Sequence, residues 1–124
     1  MSQHWDQNTP IYQQLRDRTI ASILSGELTE GDLLPSVRQV AVDLQINPLT
    51  VSKAYQGLVD EALVELQRGI GMRIKAGAKE KLLEAEREYF LSHDWPKILQ
   101  RMARLGLEFD DLTKPSNVLK GSDQ

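Results

Sequence analysis

Residues 34–55 read LPSVRQVAVDLQINPLTVSKAY, two short helical patterns laid back to back, each with its own start signal. In the first, Ser36 stands three residues before Gln39. This is the spacing of a capping box, in which serine accepts the third backbone N–H and glutamine reaches back to the cap. Val37, Val40, Ala41 and Leu44 then recur at i, i+3, i+4 and i+7, a single buried stripe. In the second, Asn47 supplies a capping oxygen and Pro48 takes the first helical position, where its missing donor costs nothing. Val51, Ala54, Tyr55 and Leu58 repeat the stripe. Two helices with matched apolar stripes and about three residues between them form a tight helix-turn-helix.

The flanks extend this unit. Thr9-Pro10 predicts the start of an earlier helix, with Thr9 as cap, whose Ile11, Leu15, Ile20, Ile23 and Leu24 keep helical spacing until Gly26 stops it. The stretch ELTEGDLLP is expected as loop. After Glu61 the period falls to two: Val64 and Leu66, then RGIG, then Met72 and Ile74 predict a β-hairpin turned at Gly69 and Gly71. The G-x-G precedes a strand and not a helix, so it is no dinucleotide signature. A helix over about 79–91 carries Leu82, Leu83, Tyr89 and Phe90. A second, capped by Asp94, carries Trp95, Ile98, Leu99 and Met102 and ends at Gly106. The expected fold is mainly α with a small β-hairpin: a winged helix-turn-helix over residues 8–76, a helical dimerisation region over 77–112 and a disordered tail over 113–124.

Composition narrows the function classes. A length of 124 residues fits one domain with a small appendage, and no apolar run approaches the roughly 18 residues of a membrane span. A helix over 79–91 lying on a membrane is opposed by Glu80, Glu84, Glu86 and Glu88, which anionic lipid repels. The chain has no cysteine, which removes disulfides and thiolate chemistry and fits a cytoplasmic location. Its two histidines, His4 and His93, lie far apart, so no metal site and no cofactor is expected. No nucleophile, base and orienting group form a recognisable catalytic motif, and the chain is read as no enzyme. The net charge of −3 argues against indiscriminate coating of nucleic acid, yet between Leu33 and Val59 only Asp43 is acidic, against Arg38 and Lys53.

With its buried stripe complete, the second helix of the pair offers Thr50, Ser52, Lys53 and Gln56 on its other sides, and Asn47 and Leu49 at its head. Hydroxyl, amide and ammonium groups so arranged suit base edges and phosphates in a major groove. Arg38 lies at the start of the preceding helix, where the macrodipole and open N–H groups favour a phosphate. Arg68 and Gly69 mark the tip of the wing, and Arg73 its returning strand. Two readings follow: a sequence-specific DNA-binding protein, or a winged helix that docks proteins while Lys53 and Arg68 stay solvated.

Residues 10–74 resemble the DNA-binding domain of the GntR family of bacterial transcription regulators. The resemblance rests on I-x-x-G-x-L-x-x-G-x-x-LPS-x-R ending at Arg38, on N-P-x-TV from Asn47, and on R-G-x-G from Arg68. The Asn-Pro turn, the K-A-Y and the short remainder are similar to the YtrA-like subfamily, which implies dimerisation through the helices after the wing. The family's DNA-contacting positions fall on Ser36, Arg38, Thr50, Arg68 and Gly69. Two positions depart: Ser52 stands where many members have arginine, and Ala62 where relatives often have glycine. If that turn needs a positive φ, alanine is strained there.

Two short helices appended to a complete winged helix cannot hide both apolar stripes alone. Leu82, Leu83, Tyr89, Phe90, Trp95, Ile98, Leu99 and Met102 are therefore expected to meet a second copy. The resulting expectation is a homodimeric repressor on an inverted-repeat operator. The subfamily resemblance suggests a transporter operon; the residues identify no small effector.

Overall fold

A computed structural model describes residues 5–117, which form two compact units dividing between Glu84 and Ala85. The first holds α1 (Ile11–Ser25), α2 (Val37–Leu44), α3 (Pro48–Asp60) and the strands β1 (Val64–Gln67) and β2 (Gly71–Ile74). Helix α4 (Ala78–Tyr89) passes into a π-helical turn (Phe90–Asp94) and then α5 (Trp95–Leu105), followed by α6 (Phe109–Leu112). The winged order of three helices and a hairpin is the one expected.

The predicted stripes form the core. Val51, Ala54, Tyr55 and Leu58 of α3 are all buried, packed with Leu15 and Ile23 of α1, Ala41 of α2, and Val64 and Ile74 of the hairpin. Ala78 and Leu82 belong to the same cluster. The first turns of α4 thus complete this core, and the unit runs past the expected boundary at 76. Leu82, expected at a subunit contact, is only 9% exposed and is part of it.

Local signals held in part. Ser36 Oγ accepts the Gln39 N–H at 3.0 Å, but the Gln39 amide donates forward to Asp43 Oδ1 at 2.7 Å, so only half of the capping box forms. Asn47 Oδ1 caps α3 through the Leu49 N–H at 2.8 Å. Thr9 does not cap α1. Its hydroxyl donates to Asp6, and Pro10 occupies the cap position with no side-chain bond. The stretch expected as loop also pairs in part with β2. Gly31 N–H donates to Ile74 O, Leu34 N–H to Met72 O, and Ile74 N–H to Asp32 O. Hydrophobic alternation could not report this segment, because it contributes backbone groups more than a stripe.

Helix α3 ends in a Schellman pattern, with Leu63 N–H donating to Leu58 O and Ala62 N–H to Val59 O. Ala62 holds φ at +61°, so the turn that favours glycine is retained with an alanine in it. A left-handed alanine costs about 1–2 kcal/mol, and glycine loses part of that advantage to its unfolded-state freedom. Ala62→Gly should therefore stabilise the protein by about 0.5–1 kcal/mol. A thermal or urea melt of the two proteins checks it, and an unchanged or lowered midpoint means that the turn is unstrained.

Asp94 does not start a new helix. Its backbone is right-handed helical with no side-chain cap, and Trp95 N–H reaches back five residues to Phe90 O. Pro96 explains the widened turn: it has no donor for the carbonyl four residues earlier, and its ring would crowd that carbonyl in a regular helix. Beyond α6, residues Pro115–Asn117 form a single 3-10 turn within the expected tail, and residues 118–124 lie outside the described part.

Candidate nucleic-acid interface

The burial of Val51, Ala54, Tyr55 and Leu58 sets the orientation of α3. At 100° per residue, the stripe directly opposite is Leu49, Lys53, Gln56 and Asp60, all exposed. Ser52 is exposed on one flank and Thr50 half-buried on the other. The Gln56 amide donates to Asp60 Oδ1 at 3.0 Å. Lys53 Nζ lies 4.2 Å from the ring centroid of Tyr12, which holds the ammonium from the first turn of α1.

Around this helix the other candidates occupy separate points. Arg38 is exposed in the first turn of α2, where Ser36 satisfies one backbone donor and the neighbouring donors have no intrahelical partner. Arg68 and Gly69 sit at the hairpin tip, closed by Ile70 N–H to Gln67 O with Gly69 at φ +79°, the pattern of a type II turn. Arg73 is differently placed. Its Nε donates to Gln67 Oε1 at 2.8 Å and its Nη1 to Gly31 O at 2.5 Å, so its guanidinium ties the wing to the preceding loop.

Two further arrangements hold α3 in place, and neither was legible in the sequence. Arg16 of α1 pairs with Glu61 through two nitrogens, which raises the arginine's pKa, and Lys81 of α4 donates to the Glu61 carbonyl at 2.6 Å. Nothing in the sequence around Glu61 points across 45 residues to Arg16. The second is the Tyr55 hydroxyl, which donates to Pro35 O at 2.7 Å and joins α3 to the segment leading into α2.

Burial pushes the Tyr55 pKa up to about 12. In the unfolded chain this phenol ionises near 10. Its contribution is therefore fully present below pH 10 and is lost as the pH rises toward 12, by about 2–3 kcal/mol at most. Tyr55→Phe should flatten that part of the melting temperature's alkaline decline. A decline equally steep in both proteins assigns it to other groups.

The dimerisation candidates fall in both units. Leu82 is core, Leu83 half-buried, Trp95 half-buried and Met102 buried, whereas Tyr89, Phe90, Ile98 and Leu99 are exposed. Leu91, Leu105, Phe109 and Leu112, not among the candidates, are exposed as well. Tyr89 stacks on His93 with ring centroids 4.2 Å apart. Among the described residues no group of acidic or histidine side chains could hold a metal, and no helix is long and apolar enough to cross a membrane.

Comparison with known proteins gives this geometry a lineage. The profile described as "Bacterial regulatory proteins, gntR family" matches residues 11–74, just over half of the chain. The HTH-type transcriptional repressor YtrA of Bacillus subtilis is 43% identical over 79 residues, covering 64% of this chain and 61% of that protein. The uncharacterized HTH-type transcriptional regulator YhcF of the same organism is 28% identical over 112 residues, 90% of this chain and 91% of its own length. Among solved structures, a transcriptional regulator from Oenococcus oeni superposes with a TM-score of 0.72 at 28% identity, covering 94% of this chain and 96% of that one. YtrA from Sulfolobus acidocaldarius, a GntR-family transcription factor, gives 0.61 at 32% identity over 85% of this chain and 95% of its own. The chain belongs to the GntR family of bacterial transcriptional regulators, with a DNA-binding winged helix, and resembles its YtrA-like branch.

Proposed function

We propose that the chain is a cytoplasmic, homodimeric repressor that lays one α3 per subunit into successive major grooves of an inverted-repeat operator. The observation that carries this reading is the outward stripe of α3, with Leu49, Lys53 and Gln56 exposed opposite a fully buried stripe, together with the exposed cations Arg38 of α2 and Arg68 of the wing. Ser36, Asn47, Thr50, Ser52 and Gly69 complete the contact surface. Arg73 joins it only by giving up its bonds to Gly31 and Gln67. Repression follows from occupying a promoter, as the name of the Bacillus subtilis relative supports, and a transporter operon is the proposed target. The exposed apolar side chains after Glu84 support self-association.

Selection of bound sequences from random duplex DNA tests the reading. It should enrich an inverted repeat with half-sites about one helical turn apart or a multiple of it. An unenriched pool overturns sequence-specific regulation.

Arg38 and Thr50 take different roles. Arg38→Ala removes a phosphate contact, which positions without specifying, and should weaken binding to operator and scrambled duplex alike, about ten-fold. Thr50→Ala should lower the ratio of the two affinities by about five- to a hundred-fold, the worth of a base contact. Titrations on both duplexes distinguish them, and a changed base preference in Arg38→Ala exchanges the assignments.

A further inference from the structure

We propose that Leu49 is a specificity-determining residue that reads the C5-methyl group of one thymine in each operator half-site. The inference rests on the DNA-binding reading above and adds the chemistry of the recognised base. Leu49 is 76% exposed, the most exposed of the large apolar side chains among the described residues. It is the second residue of α3 and heads the outward stripe that continues through Lys53 and Gln56. Asn47 Oδ1 already binds the Leu49 backbone N–H, so what this residue presents outward is its isobutyl group.

Recognition helices enter the major groove with their N-terminal residues against the base edges. An isobutyl group can neither donate nor accept a hydrogen bond. Set against guanine O6 and N7, adenine N6 and N7 or cytosine N4, it strips water from polar atoms and returns nothing. The thymine methyl is the one apolar feature of the major-groove edge, and packing against it removes hydrocarbon from water on both sides. Leu49 thus favours a T at its position and disfavours the other bases, while the polar side chains behind it accept a wider choice. A single exposed leucine is otherwise ordinary on a protein surface. Its place at the head of this stripe is what gives it a target.

Uracil in place of thymine deletes only the methyl group and keeps the hydrogen-bonding edge intact. Full-length protein and Leu49→Ala are titrated on the selected operator and on copies in which symmetry-related thymine pairs are replaced by uracil, one pair at a time. One pair should lower the affinity of the unaltered protein about four-fold per half-site, or about fifteen-fold for the two together, at the worth of one buried carbon. The same replacement should leave the affinity of Leu49→Ala unchanged. Leu49 is largely exposed, so its truncation spares the core, and equal melting temperatures confirm that the variant is folded. If both proteins prefer the operator and respond equally to every uracil replacement, Leu49 reads no methyl and the regulator reading stands. If neither protein prefers the operator over scrambled DNA, both readings fall.

Discussion

A chain ending at Glu84 should sediment as a monomer at concentrations where the full chain is a dimer, and its operator affinity should fall about 10²- to 10⁴-fold. The core of the first unit closes with Ala78 and Leu82, so this fragment keeps every buried residue of that cluster. A cut at Gly77 would remove both and confuse unfolding with loss of association. What is discarded includes Tyr89 at 57% and Phe109 at 62% exposure, along with Phe90, Leu91 and Leu105. Large exposed apolar side chains in the segment after Glu84 are the material of an association surface. Isolated half-site binding loses the effective concentration that a linked second recognition helix provides, which is the source of the large factor. A fragment that remains dimeric places the interface in the winged helix itself. A monomeric fragment with undiminished affinity shows that one subunit suffices.

How far the sequence reached depended on the range of the interaction. Wherever the cause lay within a turn or two of helix, the text was readable: the Ser36 and Asn47 caps, the four-residue stripe of α3 and the glycine turn of the wing all formed. Partners chosen at long range were not readable. Arg73 reads as a wing cation until the Gly31 carbonyl appears beside it, 42 residues away. Lys53 gives no sign in sequence of the Tyr12 ring against which it rests. Polar contacts carry no periodicity, so they emerge only when the fold brings the groups together. The misreading at Asp94 has another origin. An aspartate ahead of an apolar helical pattern signals a helix start equally well whether the chain enters from a loop or from a preceding helix, and here the helix continues through a π turn. Ala62 was readable as a possible conflict, and the structure resolved it by keeping the turn and straining the residue.

Salt should weaken operator binding steeply for a protein of net charge −3, because its cations are few but focused. Arg38, Lys53 and Arg68 are the exposed cations of the proposed contact surface, and a dimer doubles them to about six neutralised phosphates, for a slope of log K against log[salt] near −5. Between about 50 and 200 mM salt that slope amounts to about a 10³-fold loss of affinity. If Arg73 also leaves Gly31 and Gln67 for the DNA, the slope steepens to about −7, and the difference between the two values reports whether the wing rearranges. Scrambled DNA should behave differently. Without the base contacts that align these few cations, the acids at Asp60, Glu61 and Glu65 and along α4 oppose the duplex, so competitor binding should be weak already at moderate salt. A labelled operator and a scrambled duplex titrated across the series decide the matter: a slope near zero removes the phosphate clamp, and parallel curves of equal affinity remove the specificity on which regulation depends.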